Sequence, residues 1–258
     1  MTFDELDSKM RVYEESLDQI ILPEQYLVAR LDGKNFTRLT KEICDFEAPF
    51  DVKFRDIMVN TVKALMQSGF RIIYGFTESD EISLLFHPSE NSFGRKVRKF
   101  NSILASVAGA AFSMELGVMG IFDCRIAPLP SVDKVKDYFL WRQEDAHRNA
   151  LNAHCYWMLR KEGKDVNYAT KYLEGKSIAF KNELLFSHGI NFNDLPDWQK
   201  RGVGVTFGNV EKKGFNPVTG KETVTLRRAL QLNYSLPIKT EYANYIGRLL
   251  TEAENEDN

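Results

Sequence analysis

The order of hydrophobic patterns in the first 130 residues restricts the fold of this chain more than any other feature. Alternating or β-prone runs at residues 26–32, 70–76, 82–86 and 120–126 predict four strands. Helical spacing of apolar side chains predicts one helix over 51–68, after the first strand, and another over 94–116, before the fourth. This order predicts an α+β fold with a ferredoxin-like βαββαβ core, which is also the core of polymerase palms.

The remaining elements flank this core. Thr2 and Glu5 form a capping-box pattern that predicts an N-terminal helix ending before Pro23. A long helix is predicted over 131–160, shorter helices follow to about residue 187, and a hairpin spans 202–233 around a turn at 216–220. We therefore expect residues 1–130 to form a palm-like catalytic core with its N-terminal helix. Residues 131–258 are expected to form added helices and a β-hairpin packed on the core as one compact unit.

Composition and charge exclude several classes of protein. The 258 residues include 43% apolar residues, which argues against disorder, and 34 Lys+Arg against 36 Asp+Glu, which excludes a globally basic nucleic-acid binder. A polyanion must therefore be met by local patches or metal ions. Three distant cysteines without a CxxC pair indicate neither a disulfide framework nor a zinc site, and the acidic N-terminus lacks a signal peptide, so a cytoplasmic protein is expected.

One apolar stretch needs separate treatment. Residues 100–122 carry a single charge, at Glu115, but they also contain serines, an asparagine and three glycines. This pattern predicts a buried helix followed by a strand, with no membrane partner.

Acidic residues stand at two predicted strand ends. Asp32 ends the first strand, and Asp80 and Glu81 lie at the turn before the third. First and third strands are neighbours in a βαββαβ sheet, so these carboxylates can come within reach of common cations, and Mg²⁺ prefers such oxygen ligands. Gly33 would let its backbone carbonyl approach an ion. An ordinary Asp-Gly turn with solvated acidic neighbours explains the same residues, and spacing leaves both interpretations open.

A basic cluster and a polar helix provide further candidate residues. Arg95, Lys96, Arg98 and Lys99 could hold a triphosphate at a helix start or form a solvated surface. No phosphate-binding glycine loop of the G-x-x-x-x-G-K-[ST] type occurs. His147 and His154 share one face of the long helix, and we interpret them as hydrogen-bonding residues because a third metal ligand is not evident.

Four segments in the same order resemble one known family. They are Ala29–Phe36 (ARLDGKNF), Tyr74–Glu81 (YGFTESDE), Trp141–His147 (WRQEDAH) and Lys181–Ser187 (KNELLFS). Together they resemble tRNA-histidine guanylyltransferase and its shorter Thg1-like relatives, the 3′-to-5′ RNA polymerases. The similarity covers nearly the whole chain, and the last two segments lie outside the palm, which favours this family over other palm enzymes.

The resemblance implies a chemistry and a set of site residues. The 3′-hydroxyl of an incoming nucleoside triphosphate would attack the 5′ end of a tRNA, activated as a triphosphate or by adenylylation with ATP. ATP, GTP or other nucleoside triphosphates would be substrates, and two Mg²⁺ ions would be held by Asp32, the carbonyl of Gly33 and Asp80, with Glu81 supporting them as a catalytic residue. The family commonly forms homotetramers built as dimers of dimers.

Further residues are implied by the same resemblance. Lys99 matches the family's triphosphate-binding lysine, and the other implied nucleotide-binding residues are Lys34, Asn35, Phe36, Arg95 and Lys96. Residues implied in 5′-end activation or RNA binding are His147, Lys181 and Asn191. From charge alone, the hairpin that carries Lys212, Lys213, Lys221, Arg227 and Arg228 is a candidate RNA-facing arm.

Two departures from the family pattern guide the choice of function. Lys34 replaces the usual arginine, and Phe76-Thr77-Glu78 replaces the more common Gly-Gln before Ser79. Both resemble the shorter relatives, so we predict template-dependent addition of nucleotides that repairs truncated 5′ ends of tRNA. The alternatives are a dedicated histidine-tRNA guanylyltransferase that adds one untemplated guanosine, a palm-type nucleotide cyclase, and a non-catalytic RNA-binding module.

Overall fold

The structure is a computed structural model that describes residues 1–216 and 220–256. Its strands are β1 (Tyr26–Gly33), β2 (Ile72–Glu78), β3 (Glu81–Phe86), β4 (Phe122–Leu129), β5 (Val203–Asn216) and β6 (Lys221–Asn233). Its helices are α1 (Phe3–Glu15), α2 (Phe36–Arg38), α3 (Val52–Met66), α4 (Val97–Leu116), α5 (Val132–Lys161), α6 (Val166–Leu173), α7 (Ile178–Ser187), α8 (Asp197–Arg201) and α9 (Lys239–Glu256).

The strands form a single antiparallel sheet in the order β4-β1-β3-β2-β5-β6. The mixed helix-and-sheet class expected from the sequence is therefore confirmed. The C-terminal hairpin continues the sheet because β5 pairs with β2 over Tyr74–Thr77. Sequence patterns did not predict this extension, since the pairing joins residues more than a hundred positions apart.

Element boundaries follow local signals. Thr2 caps α1 in a complete capping box, and Asp51 caps α3 by accepting from the backbone N–H groups of Lys53 and Phe54. Helix α4 starts at Val97, three residues later than predicted. The helix starts later because Gly94 and its two neighbours adopt positive φ angles, which cannot continue a right-handed helix.

Alternation along the strands gives the sheet two buried faces. On one face, side chains such as Leu31 and Ile82 pack against α3 and α4, with Phe100 at the centre. On the other face, Val28 and neighbouring strand residues pack against α5 and α9 through side chains such as Phe139. Helix α5 continues beyond the sheet into a third apolar cluster with the helices that follow it. Asp32 alternates with Leu31, so it points to the face covered by α5.

The long apolar stretch noted in the sequence is divided between α4 and the start of β4. Among the described residues, no helix has the length and apolarity needed to cross a membrane.

Candidate active site

Carboxylates line up across four strands at one end of the sheet. Asp123 of β4 lies opposite Asp32 of β1, Asp32 lies opposite Glu81 of β3, and Glu81 lies opposite Glu78 of β2. Residues directly opposite each other in an antiparallel sheet point to the same face, so these four form a row on the face toward α5. We call them the carboxylate row.

Asp80 joins this row from the turn between β2 and β3. The backbone N–H of Gly33 donates to the carbonyl oxygen of Asp80 over 3.1 Å, which ties the end of β1 to the turn. The structure therefore brings together Asp32, Gly33 and Asp80, the three residues that the sequence singled out as metal ligands.

Burial and mutual repulsion disfavour the ionised forms of these acidic side chains. Burial raises the pKa of the Glu78 carboxyl to about 8, with the nearby charges of Glu81 and Asp80 adding to the effect. Burial likewise raises the pKa of Asp80 to about 6, and the charge of Asp32 contributes. A positive charge at this end of the sheet would stabilise the ionised carboxylates.

Two arginines supply part of that charge. Arg30 of β1 donates to Oε1 of Glu81 over 2.6 Å, and Arg142 of α5 donates to Oε2 of the same carboxylate. Arg142 is only 5% exposed and also pairs with Asp145 at 3.2 Å. We call Arg30 and Arg142 the arginine clamp. Both carboxylate oxygens of Glu81 accept hydrogen bonds from the clamp, and the catalytic role implied for Glu81 stays a prediction.

The remaining acidic pair offers ligands that suit Mg²⁺. Asp32 and Asp80 provide carboxylate oxygens and Gly33 a backbone carbonyl, which is the all-oxygen set that this ion prefers. The described part of the chain contains no group of three or more His, Cys, Asp or Glu side chains arranged to hold a metal. Any ion here would therefore complete its shell with backbone, water or substrate oxygens, as Mg²⁺ commonly does.

The segment after Gly33 only partly fits its predicted role. Lys34 and Asn35 are exposed in a turn where Asn35 has a φ of 61°. Phe36, in contrast, is 3% exposed. Its ring packs 4.9 Å from the ring of Phe112 and 5.0 Å from that of Phe122. The ring of Phe36 therefore belongs to the apolar core, and the nucleotide-binding role implied for this residue stays a prediction.

The basic cluster lies at the opposite end of the sheet from the carboxylate row. Arg95 is buried and donates to the carbonyl of Gln25 over 2.7 Å, just before β1 begins, whereas Asp32 lies near the end of β1. Lys96 pairs with Asp18 at 2.6 Å. Lys99 lies in the first turn of α4, at this same end.

This placement has a topological cause. Strand β3 starts at the acidic end and runs away from it, so the helix that follows β3 must begin at the far end. Within one chain the basic cluster and the carboxylate row therefore lie at opposite ends of the sheet, and the triphosphate-binding role of the cluster stays a prediction.

A cavity opens beside the β2–β3 turn. Its wall includes Glu78 and Ser79, next to Asp80, and Asp51 at the start of α3. Aromatic side chains on the wall are Phe46, Phe50, Phe54, Trp157 and Trp198. We call it the turn cavity. Sequence analysis missed it because its walls come from five separate segments.

A second cavity lies between α5 and α7. His147 and Asn191 both line it, which brings together two of the three residues implied in 5′-end handling. The ring of His147 lies 5.3 Å from that of Phe192, and burial lowers the pKa of His147. Lys181 is next to Asn182, which also lines this cavity. His154 bonds Gln199 at 3.2 Å, as expected of a hydrogen-bonding histidine.

The candidate RNA-facing arm is only partly visible. The side chains of Lys212, Lys213 and Lys221 lie outside the described residues. Arg228 pairs with Glu256 at 3.3 Å, so its charge is shared within the chain.

Acidic strand ends on an antiparallel sheet, with a cavity beside them, fit the class of nucleotidyltransferases. Residues 7–130 match the family model described as tRNAHis guanylyltransferase, and residues 133–241 match the model of the Thg1 C terminal domain. The chain therefore belongs to the tRNA(His) guanylyltransferase, or Thg1, family.

Curated relatives and solved structures agree with this assignment. The tRNA(His) guanylyltransferase of Schizosaccharomyces pombe is 35% identical over 198 residues, covering 73% of this chain and 75% of the relative. A bacterial Thg1-like protein in complex with GTP has a TM-score of 0.74 at 26% identity and covers 96% of this chain and 99% of its own. The Saccharomyces cerevisiae enzyme has a TM-score of 0.68 at 28% identity, over 84% and 95% of the chains.

Proposed function

We propose that this protein adds guanosine to the 5′ end of histidine tRNA, through attack by the 3′-hydroxyl of GTP on an activated 5′ end. The observation that carries the proposal is the meeting of Asp32, Gly33 and Asp80 at one end of the sheet. The names of the curated relatives support guanosine addition more strongly than the general repair of truncated ends predicted from the sequence.

Two Mg²⁺ ions would be held by Asp32, Asp80 and the carbonyl of Gly33. When bound, such ions make a hydroxyl more acidic and neutralise charge that develops on phosphate oxygens. The arginine clamp fixes Glu81 so that its charge adds to the attraction for cations without occupying the ligand positions. The clamp on Glu81 and the bond between Gly33 and Asp80 thus hold the acidic end of the sheet in place before any substrate binds.

The turn cavity is the proposed site for the nucleoside of the substrate. It adjoins Asp80, and its aromatic walls offer surfaces on which a base can stack. Lys41 lies over the ring of Trp157 at 4.5 Å, and Arg55 over that of Trp198 at 4.8 Å, which puts positive charge at the cavity walls. Related bacterial structures contain GTP or ATP, which supports nucleoside triphosphates as substrates.

Template-dependent repair is the second candidate function. It is favoured by Lys34 and by the segment Phe76-Thr77-Glu78, the two places at which the chain departs from the pattern of the dedicated enzymes. Glu78 lines the turn cavity, so this departure falls where a base would be selected.

Three broader expectations remain part of the proposal. The observed strand order and the two helices on one face support a ferredoxin-like palm, and the two matched segments support a boundary near residues 130–133. A cytoplasmic location is consistent with a tRNA substrate.

The proposed function predicts a specific product. Incubation with GTP, ATP, Mg²⁺ and a histidine-tRNA transcript that lacks the additional 5′ guanosine should yield RNA one nucleotide longer, because GTP supplies the attacking hydroxyl. The measurement is electrophoresis of labelled RNA, with the Asp32→Asn variant as the matched inactive control.

Other outcomes distinguish the competing functions. Extension of 5′-truncated tRNAs by whichever nucleotide matches the opposite strand, with little guanosine addition to histidine tRNA, would establish repair instead. Formation of a cyclic nucleotide without RNA would identify a cyclase. Binding of tRNA with no product under any of these conditions would contradict an enzymatic role.

A further inference from the structure

Helix α1 carries an apolar stripe that the rest of the described chain leaves uncovered. None of its 13 residues is buried. The side chains of the stripe recur with spacings of three, four and three residues, and their exposed fractions are 79% for Phe3, 42% for Leu6, 50% for Met10 and 70% for Tyr13. On a helix this spacing aligns the four side chains along one face, as in the heptad pattern of a coiled coil.

A helix of this kind needs a packing partner. Isolated helices shorter than about 12–15 residues are only marginally stable in water, because most helix stability in proteins comes from burying an apolar face. The capping box at Thr2 and Glu5 satisfies the first backbone N–H groups but buries no apolar surface. The stripe is therefore a candidate surface for packing against another molecule.

The charge of α1 excludes polyanions as that molecule. The helix carries five acidic and two basic side chains, giving it a net charge of −3. RNA and anionic membranes attract basic surfaces and repel one of this sign.

The charges that flank the stripe instead match those of another α1. With Phe3 and Met10 at a positions, Lys9 takes a g position and Glu14 the following e position. Parallel pairing in register places Lys9 of each helix opposite Glu14 of the other. Antiparallel pairing would place Lys9 against Lys9 and Asp7 against Asp7, so like charges would oppose it.

We propose that α1 pairs with α1 of a second copy of this chain, in parallel and in register, through the stripe formed by Phe3, Leu6, Met10 and Tyr13. The two-fold axis then runs between the paired helices, and the two Lys9–Glu14 contacts are equivalent. This interface involves no residue of the candidate active site, so the inference stands apart from the proposed function.

The mass of the full-length protein in solution tests the pairing. Met10→Glu places a charge in the centre of the stripe and should weaken the association about 100-fold or more, since an unpaired charge is costly to bury. Val12→Glu is the matched control, because Val12 is 66% exposed and lies on the other side of the helix. Light scattering over a concentration series should show loss of one association step in Met10→Glu alone, with circular dichroism to confirm folding. Equal masses for Met10→Glu and the unaltered protein, or a monomeric unaltered protein, would overturn the proposal.

A disulfide experiment tests the direction of pairing. Leu6→Cys is made together with Cys44→Ser and Cys124→Ser, since these two native cysteines are partly exposed whereas Cys155 is buried. Identical d positions face each other only in a parallel pair in register, so mild oxidation should give a covalent dimer. Val12→Cys in the same background should give none. Failure of Leu6→Cys to cross-link, or equal cross-linking by both variants, would refute the parallel arrangement.

Discussion

Asp80→Asn is expected to lower the rate of nucleotide addition on the order of 10³-fold, which corresponds to about 4 kcal/mol of lost transition-state stabilisation. Asparagine keeps the size of the side chain but removes the charge that would hold a divalent ion beside Asp32. The rate is measured from the initial velocity of guanosine addition to histidine tRNA at saturating Mg²⁺.

The stability of the fold should change in the opposite direction to the activity, so Asp80→Asn should not be less stable than the unaltered protein. The pKa of Asp80 is raised to about 6 in the folded chain, so its ionised form destabilises the fold without a cation. This penalty is absent at a pH below the unfolded pKa and grows as the pH rises through about 6. At neutral pH without Mg²⁺, Asp80→Asn should therefore melt at the same or a higher temperature than the unaltered protein.

A second readout separates ion binding from catalysis. Mg²⁺ should raise the melting temperature of the unaltered protein and have little effect on Asp80→Asn, because a ligand that binds only the native state stabilises it. The matched control is Asp133→Asn, which changes an exposed carboxylate in the first turn of α5. Near-normal nucleotide addition by Asp80→Asn would show that the acidic turn does not hold the catalytic ions.

Arg142→Ala is expected to destabilise the fold by about 3 kcal/mol and to impair nucleotide addition as well. Removing one partner from a buried ion pair leaves the other charge uncompensated, and losses of about 3–5 kcal/mol are typical. Here Glu81, which lies between Asp32 and Glu78 in the carboxylate row, would keep only its bond to Arg30, and Asp145 would lose its contact with Arg142. Chemical denaturation measures the loss of stability.

Two comparisons make the Arg142 experiment specific. Arg38→Ala removes an arginine from an ion pair with Glu42 in which both side chains are about 70% exposed, and such pairs contribute only about 0–1 kcal/mol. Adding Glu81→Gln to Arg142→Ala should restore part of the lost stability, because the carboxylate that lost one of its two arginines no longer carries a charge. If Arg142→Ala were no more harmful than Arg38→Ala, the clamp would have no structural importance.

The parts of the molecule that the sequence predicted depend on local patterns. Apolar spacing predicted α3, α4 and α5, and the ends of the predicted strands at Asp32 and Asp80 indicated an acidic site. Pairing of neighbouring antiparallel strands brings such ends together for any conformation of the surrounding loops. The proximity of these carboxylates could therefore be predicted without knowledge of distant contacts.

Other parts of the site depend on packing between distant segments. Arg30 was visible two residues before Asp32 on the same strand face, and Arg142 lay in a stretch noted for its polarity, yet neither position alone reveals a shared partner. The buried ring of Phe36 likewise follows from contacts with α4 and β4. The placement of Arg95, Lys96 and Lys99 follows from the direction of β3. The identities of the charged residues alone do not reveal this direction.

The arginine clamp also limits how such proteins can be recombined. One of its arginines comes from the segment that matches the first family model and the other from the segment that matches the second. A chimera that joins the first half of this chain to the second half of a relative must therefore inherit a guanidinium at the position of Arg142. Without it, Glu81 of the hybrid would keep only Arg30 as a partner, and the acidic end of the sheet would lose an electrostatic contact even where the apolar surfaces fit.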